Sequence, residues 1–319
     1  MMVTDNGAAI SVHDLKKQFG DITAVAGIEF EVYQGELFGF LGPNGAGKTT
    51  TVRMLTGVLD PTAGTARIQD HDIRHQPVLS RAHLAVVPEE ANVYRDLTVW
   101  QNIMLMAELY GVPRRQRARK AEQVLEQLEL RDRTQHKART LSKGLRQRLM
   151  LCTALVTDPD ILFLDEPTSG LDVHSSRLIR SIVRRLNRDG LTVFLTTHNM
   201  AEAEEMCSRV AIINAGRIVA IDTPQRLRTA MQSSQYVEVS WKGSGLPPSQ
   251  LAAVPGVSRV SRSQVAVRLY SETPGQVATE VVRLAQARDI PITHLCTCRA
   301  SLEDVFLYFT DSSGSRRNT

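Results

Sequence analysis

Short apolar segments alternate with segments of helical periodicity along most of the chain. The segment 32–42 (VYQGELFGFLG) is predicted to be a strand that runs into a glycine turn, because its second half is apolar and aromatic. A helix is predicted over 48–59 (KTTTVRMLTGVL), which an Asp-Pro pair ends. The segments 160–167 and 191–198 are too apolar for strands with a solvated face. Together these patterns predict an α/β fold with a largely parallel central sheet covered by helices.

The stretch 96–156 is predicted to be a mostly helical subdomain, rich in Arg, Gln and Glu. Within it, 112–120 (VPRRQRARK) allows two interpretations, a nucleic-acid contact or a solvated helix face. Acidic residues resume directly afterwards and no aromatic residues interleave, which favours the solvated face. We therefore expect no nucleic-acid partner.

The pattern changes at a polar break near Met231, and a second, smaller domain is predicted to follow. Its predicted elements are a strand (236–241), a short helix (249–254), two strands (257–260 and 264–270), a helix (275–287), a strand (293–298) and a further helix (301–309). The first six are in the split β-α-β order of a ferredoxin-like α+β domain. We expect a nucleotide-binding domain over 1–231, an accessory domain over 232–311 and a disordered tail over 312–319.

The composition agrees with a two-domain globular protein but does not distinguish between functions. The chain has 319 residues, of which 42% are hydrophobic, and its formal charge is +4. No signal-like N-terminus and no long apolar run is present, so a cytoplasmic location is expected. Cys296 and Cys298 share a face if they lie on a strand, which leaves a zinc pair or two buried thiols; the absence of a CxxC or His-rich motif favours the thiols.

The segment 42–49 (GPNGAGKT) matches G-x-x-x-x-G-K-[ST] between a predicted strand and a predicted helix. Glycines let successive backbone N–H groups face phosphate oxygens, and the helix adds the positive end of its dipole. Lys48 is expected to reach the β- and γ-phosphates, and Thr49 to offer its hydroxyl to Mg²⁺. The residues expected to contact the nucleoside triphosphate here are Gly42, Pro43, Asn44, Gly45, Ala46, Gly47, Lys48, Thr49 and Thr50.

Two acids and a histidine end the other two apolar strands. Neighbouring side chains on a strand point in different directions, so Asp165 and Glu166 are expected to serve different targets. Asp165 fits a role at Mg²⁺ and Glu166 the general base that activates water. His198 ends its strand at the edge where parallel strands meet their ligand, so a γ-phosphate contact is expected.

The segment 141–149 (LSKGLRQRL) places Ser142 and Gly144 at a predicted helix start, which is either an ordinary serine cap or a second anion site. With the other motifs, it resembles the ATP-binding cassette (ABC) family over nearly all of 8–231. GPNGAGKT is similar to the Walker A loop, LSKGLRQRL to the ABC signature, ILFLDEP to Walker B and SGLD (169–172) to the D-loop. The resemblance implies that His198 is the switch histidine and that Phe19 stacks on adenine. It also implies that two cassettes pair head to tail, so that Ser142 and Gly144 face the γ-phosphate on the partner.

Two departures from the family pattern bear on these expectations. In place of LSGGQ, Lys143 replaces a glycine and Leu145 replaces the glutamine, so Lys143 either adds a charge or points to solvent. In AVVPEE (85–90), Glu89 stands where the family usually has glutamine. A carboxylate there still suits Mg²⁺, and its charge makes the contact more dependent on the metal.

A chain with one cassette and no membrane helix resembles the ATPase subunit of a transporter. Its C-terminal domain resembles that of ATPases for drug-resistance, sodium-efflux and polysaccharide exporters, which implies an ATP-hydrolysing exporter subunit with ATP and Mg²⁺. The implied partners are a second copy of the chain, or a related cassette, and a membrane permease. The permease is expected to dock near 94–109 and to hold the chain at the inner face of the membrane. The alternative is a regulatory module in which ATP switches the dimer with little turnover.

Overall fold

The structure is a computed structural model that describes residues 7–90, 92–229, 235–243, 245–262, 266–299 and 301–307. It divides into two compact units that meet in the chain at Ile221 and Asp222. The domain boundary predicted at 231/232 and the predicted tail lie outside the described residues and stay predictions. Among the described helices, none combines the length and apolar character needed to cross a membrane.

The first unit contains ten strands and most of the helices. Its strands are β1 (Ala8–Phe19), β2 (Ile22–Tyr33), β3 (Leu37–Leu41), β4 (Ala63–Ile68), β5 (His71–Asp72), β6 (Leu84–Val87), β7 (Ile161–Asp165), β8 (Thr192–Thr197), β9 (Arg209–Asn214) and β10 (Arg217–Asp222). Its helices are α1 (Lys48–Leu55), α2 (Pro77–Ala82), α3 (Val99–Leu109), α4 (Arg114–Gln127), α5 (Lys143–Leu155), α6 (Val173–Arg188) and α7 (Met200–Met206), with 3₁₀ turns at Arg131–Arg133 and Ala138–Thr140.

The central sheet has the order β10-β9-β3-β8-β7-β6, and its inner pairs are parallel, as the apolar segments predict. Every residue of β3, β7 and β8 is buried, because both faces of these strands are covered. An antiparallel sheet of order β2-β1-β4-β5 packs on one face. The α/β fold class with a largely parallel sheet is therefore confirmed.

Alternating side chains of the central strands form the contact between the two sheets. Phe38 and Phe40 on β3 and Phe194 on β8 meet Phe30 of the antiparallel sheet, with ring centroids 5.5 to 6.0 Å apart. These rings belong to a cluster of buried side chains that spans both sheets. Burial of a large aromatic side chain stabilises the fold by about 2 kcal/mol or more. This cluster therefore holds the strand ends that carry the candidate site.

Two predicted elements have different limits in the structure. The segment 32–42 contains a turn, because Gly35 has a positive φ of 70° and Glu36 accepts a 2.8 Å hydrogen bond from the Tyr33 backbone N–H. Strand β3 therefore begins only at Leu37. The helix predicted over 48–59 ends at Leu55, since a second positive-φ glycine, Gly57 at 69°, follows directly. Both errors come from glycines that interrupt an otherwise continuous apolar pattern.

The helical subdomain is present as α3, α4 and α5. Thr98 caps α3, accepting from the Gln101 backbone N–H while the Gln101 side chain accepts from Thr98. The basic segment 112–120 lies mostly on α4, whose inner face buries Ala121, Val124 and Leu125. Its arginines 114, 115 and 119 are exposed, as the solvated-face interpretation predicts.

The second unit is built on a four-stranded antiparallel sheet. It contains α8 (Pro224–Thr229), β11 (Gln235–Trp241), α9 (Pro248–Ala252), β12 (Arg259–Arg262), β13 (Val267–Tyr270), α10 (Pro274–Gln286), β14 (Ile292–Arg299) and a helical stretch over 302–307. The strand order β12-β13-β11-β14 agrees with the predicted split β-α-β connection. One face of this sheet packs with α9 and α10 in an apolar cluster that includes Val237, Leu269 and Leu251.

Candidate functional site

Four parallel strands end at one edge of the central sheet, and each is followed by a candidate residue. Leu41 of β3 is in register with Thr197 of β8, and Asp165 of β7 with Thr196. The edge opens into a cavity of about 330 Å³. Its lining is Ala24, Pro43, Asn44, Gly45, Gly47, Lys48, Thr49, Thr50, Glu89, Glu166, Ser169 and His198. The structure thus brings together residues from five separate predicted motifs.

The loop between β3 and α1 has the conformation that its glycines permit. Gly45 and Gly47 have positive φ angles of 81° and 109°. A Cβ on Gly47 would stand 2.7 Å from the Ala24 carbonyl oxygen, and one on Gly42 2.4 Å from that of Ile213. The loop therefore needs these glycines both for its conformation and for its close packing. Helix α1 begins directly after it, at Lys48.

Lys48 is buried at the base of this loop with its charge held by oxygen atoms. Its Nζ donates to the carbonyl oxygen of Gly42 at 2.8 Å and to that of Pro43 at 3.3 Å. The same Nζ forms an ion pair with Glu166 Oε1 at 3.3 Å, and the two side chains are 6% and 9% exposed. Such a buried cation is costly unless it is paired, so the loop and Glu166 fix its position.

Glu166 joins Lys48 to His198. His198 Nδ1 lies 2.9 Å from Glu166 Oε2, and the imidazole is 53% exposed. Glu166 Oε1 is buried and accepts no hydrogen bond from the described residues, so it meets Lys48 only as an ion pair. The Glu166 backbone has a φ of 49°, an uncommon conformation for a side chain of this size. Its backbone N–H donates to the Thr196 carbonyl oxygen at 3.1 Å, which holds it there.

Asp165 is not among the residues that line the cavity, and strand alternation gives its side chain a different direction from that of Glu166. It is 6% exposed and accepts a short hydrogen bond from Thr196 Oγ1. The two adjacent acids therefore have different partners, as predicted. Thr196 contacts both of them, through its side chain at Asp165 and its carbonyl oxygen at Glu166.

Sequence reasoning missed Glu202, a buried carboxylate beside this edge. Thr168 Oγ1 donates to it at 2.8 Å and Thr197 Oγ1 at 3.1 Å. Burial raises the pKa of the Glu202 carboxyl, and the two hydroxyl donors and the charge of Arg180 oppose this only in part. Glu202 lies four residues after His198 on α7, where the only sequence signal is an acid in a helical first turn.

This raised pKa predicts a pH-dependent contribution to stability. The folded protein holds the Glu202 proton more tightly than the unfolded chain, so ionisation lowers the free energy of unfolding as pH rises from the ordinary value of 4.5 through the raised one. Glu202→Gln removes this loss. We therefore expect the difference in unfolding free energy, Glu202→Gln minus native, to be more positive at about pH 8 than at about pH 5. Urea unfolding at both pH values measures it, with the exposed Glu122→Gln as the pH-independent control. An equal difference at the two pH values would contradict the prediction.

The second predicted anion site lies at the start of α5, outside the lining of the cavity. Ser142 is the N-cap of this helix, and its Oγ accepts from the Leu145 backbone N–H at 3.3 Å. Gly144 is buried, and a Cβ there would stand 2.5 Å from Ser175 Oγ. The serine is thus a capping residue in this conformation, and the glycine allows a close approach of α6. Neither residue is part of the described cavity lining.

Lys143 is exposed, but its side chain also has a partner within the described residues. Its Nζ donates to the Ser169 carbonyl oxygen at 2.8 Å, and Ser169 Oγ donates to Glu89 Oε1 at 3.1 Å. Two of the three residues that depart from the family pattern, Lys143 and Glu89, therefore contact the same serine of the SGLD turn. Residues so far apart in the sequence give no local signal of this contact.

Phe19 lies at the end of β1, where its ring is 48% exposed. The Lys17 ammonium lies 5.1 Å from the ring centroid. A core role is therefore excluded. Phe19 is not part of the cavity lining, so its stacking on adenine stays a prediction.

The donor set at this edge suits a magnesium ion. Mg²⁺ prefers oxygen ligands; the Thr49 hydroxyl and the Glu89 carboxylate line the same cavity, and the buried Asp165 carboxylate is at the end of strand β7. The loop supplies backbone N–H groups for phosphate oxygens next to this set. The residues therefore fit a nucleoside triphosphate together with Mg²⁺.

Comparison with known proteins agrees with this geometry. The sequence profile of the ABC transporter family matches residues 25–169. The chain is 36% identical over 301 residues to the Nod factor export ATP-binding protein I of Ralstonia nicotianae, covering 94% of this chain and 93% of that protein. The chain belongs to the ABC transporter family. This ABC subunit is also 31% identical over 306 residues to the linearmycin resistance ATP-binding protein of Bacillus subtilis, covering 94% and 98%.

The structural comparison places the cassette within the same family. A dimeric ATP-binding cassette in a post-hydrolysis state, bound to ADP and Pi, superposes on it with a TM-score of 0.61 at 25% identity. The match covers 67% of this chain and 98% of that chain. The protein is the ATP-binding subunit of an ABC transporter and an ATPase that uses ATP with Mg²⁺, so the predicted family, activity and cofactors are confirmed.

Proposed function

We propose that this ATPase works as a head-to-tail pair and drives a separately encoded membrane permease in export. The proposal is supported mainly by one observation: the predicted phosphate-binding residues lie in two separate places within the chain. Lys48, Glu166 and His198 surround one cavity, whereas Ser142 and Gly144 lie outside its lining. A second chain that presents its own α5 N-terminus supplies the missing donors, since helix N-termini favour phosphate oxygens.

Within this pair each residue around the cavity has a distinct role. Glu166 Oε1 is the acceptor for a proton of the attacking water, because it accepts no hydrogen bond from the described residues and is only ion-paired with Lys48. Lys48 holds phosphate charge from a position fixed by the Gly42 and Pro43 carbonyls. His198 has an exposed ring whose Nδ1 is held by Glu166, which leaves Nε2 for the γ-phosphate.

Thr49, Asp165 and Glu89 would hold Mg²⁺, which when bound neutralises phosphate charge. Phe19 would stack on adenine, because its ring is already exposed at the end of β1. Asn44, Gly45, Ala46, Gly47 and Thr50 complete the phosphate contacts through the loop backbone and the start of α1.

The permease would dock on the helical subdomain, and this contact would hold the protein at the inner face of the membrane. Tyr94, Leu109 and Tyr110 are exposed there by 53%, 63% and 63%. Export is supported by the two relatives, one named for export and the other for resistance. Apolar residues exposed in this way suit burial against another protein.

Disulfide trapping tests the pairing. In a chain whose four native cysteines are replaced, Ser142→Cys and Gly45→Cys are introduced together, since a Cβ on Gly45 meets nothing within 4 Å. We expect ATP under oxidising conditions to produce a covalent dimer, because the two positions face each other across the shared nucleotide. Non-reducing electrophoresis with and without ATP measures the yield.

A matched control replaces Gly45→Cys by Gly190→Cys. Gly190 also has a positive φ, 104°, and open space, but it precedes β8 at the opposite edge of the sheet. No ATP-dependent dimer is expected from it. Equal yields from the two pairs, or no covalent dimer with Gly45→Cys at any nucleotide concentration, would refute the head-to-tail pair.

If the Glu89 carboxylate binds Mg²⁺, removing its negative charge should weaken Mg²⁺ binding during ATP turnover. Glu89→Gln keeps an oxygen that accepts from Ser169 but removes one negative charge near Mg²⁺. We expect the free Mg²⁺ concentration for half-maximal ATP turnover to rise about threefold to tenfold, which corresponds to about 1 kcal/mol. Turnover measured over a Mg²⁺ titration shows this, with Glu90→Gln as the neighbouring control. An unchanged Mg²⁺ midpoint would exclude Glu89 from the metal site.

A further inference from the structure

The face of the accessory sheet opposite α9 and α10 carries a group of side chains that ATP hydrolysis does not use. Leu295 of β14 packs against the apolar cluster, so its neighbours His294 and Cys296 project from the other face. Cys298 continues the same row. The alternation of strand β14 therefore places one imidazole and two thiols side by side.

The neighbouring strand adds a carboxylate. Glu238 of β11 is directly opposite Cys296 in the antiparallel register. One ligand atom each from Glu238, His294 and Cys296 lies within 4.8 Å of the others. Cys296 Sγ is 3.3 Å from His294 Nε2 and 3.1 Å from Cys298 Sγ. Three potential ligands, a carboxylate, an imidazole and a thiol, therefore converge on one point, and the Cys298 thiol lies next to Cys296.

The separation of the imidazole and the Cys296 thiol is close to that of a tetrahedral zinc site. Zn–S bonds of about 2.3 Å and Zn–N bonds of about 2.0 Å place a nitrogen and a sulfur about 3.5 Å apart. The distance of 3.3 Å between His294 Nε2 and Cys296 Sγ is within about 0.2 Å of this value. The thiols are also half-buried rather than buried, and all four cysteines are free, which corrects the expectation of two buried thiols.

The surroundings of the group orient its carboxylate. Arg268 Nε donates to Glu238 Oε2 at 2.8 Å, which leaves Oε1 for another partner. Arg268 also binds Asp304 at 2.8 Å, so the guanidinium is fixed in turn. Such outer contacts hold metal ligands in position.

We propose that Glu238, His294 and Cys296 bind one Zn²⁺ ion on the accessory sheet, on the face opposite α9 and α10, with the Cys298 thiol beside it. Nitrogen, sulfur and carboxylate ligands in this combination select a borderline-soft ion over Mg²⁺ or Ca²⁺. The site is separate from the residues around Lys48, and its test does not depend on the head-to-tail pair.

Zinc binding by the full chain tests the proposal. Protein freed of metal and kept reduced is titrated with Zn²⁺ against a chromophoric chelator, with excess Mg²⁺ present. We expect one Zn²⁺ per chain, and a loss of affinity of about 100-fold or more in the double variant Cys296→Ser, Cys298→Ser. His75→Gln is the matched control, because His75 lies 3.0 Å from the Asp72 carboxylate at an exposed position.

Co²⁺ provides a second measurement that does not require any variant to fold. A tetrahedral Co²⁺ ion with thiolate ligands absorbs in the visible range and in a sulfur charge-transfer band. We expect both absorptions in the native protein and their loss on adding Zn²⁺. Octahedral Co²⁺ without a thiolate band, or equal Zn²⁺ affinity in the native protein and the cysteine double variant, would overturn the proposal.

Discussion

Replacing Glu166 with glutamine is expected to reduce ATP turnover by about 10² to 10⁴-fold, the usual contribution of a general base. Glu166→Gln keeps the size and the contact with His198 but loses the carboxylate that accepts the proton of water. ATP binding is expected to persist, because the phosphate loop and Lys48 are unchanged. The variant should therefore accumulate as an ATP-bound dimer, which light scattering detects after ATP is added.

The control for this variant is Glu122→Gln, an exposed acid on α4 that should leave turnover and dimer formation unchanged. Turnover at the native rate in Glu166→Gln would remove the general base from the mechanism. A native protein without measurable turnover, with or without a permease, would favour the regulatory module in which ATP only switches the dimer.

Replacing Lys48 with alanine is expected to have the largest effect on stability and on ATP affinity together. Lys48→Ala leaves the Glu166 carboxylate buried beside an empty volume, and breaking a buried ion pair costs about 3 kcal/mol. It also removes a charged donor to phosphate, which we expect to weaken ATP binding by about tenfold to 100-fold. Urea unfolding without nucleotide and equilibrium binding of ATP measure the two effects.

A double-mutant cycle separates the ion pair from simple loss of packing. If Lys48 and Glu166 stabilise each other, the double variant Lys48→Ala, Glu166→Gln should be more stable than the sum of the single effects predicts. Lys120→Ala is the control, since Lys120 pairs at 3.4 Å with Asp158, whose side chain is 84% exposed. Its cost should stay below about 1 kcal/mol. Additive effects at Lys48 and Glu166 would mean that the ion pair contributes nothing.

Chemistry with a short local pattern was predictable from the sequence. The phosphate loop needs glycines at fixed spacing between a strand and a helix, and all of these requirements lie between Leu37 and Leu55. The neighbouring acids Asp165 and Glu166 point to different partners because of strand alternation, which also needs no tertiary information. Sequence reasoning was less accurate for element limits, since Gly35 and Gly57 interrupt apolar runs without changing their composition.

Contacts between distant segments were decided only by tertiary structure. The order of the parallel strands places Glu166 next to Lys48, with which it forms an ion pair. Lys143 and Glu89, which are far apart in the sequence, both form hydrogen bonds with Ser169. Alternation alone places Cys296 and Cys298 on one face, but the register of β14 against β11 adds Glu238. Strand order and register follow from which apolar faces are buried together across the whole chain, so no local pattern encodes them. The sequence by itself therefore determined the nucleotide chemistry, and the packing of its strands determined which other side chains share each site.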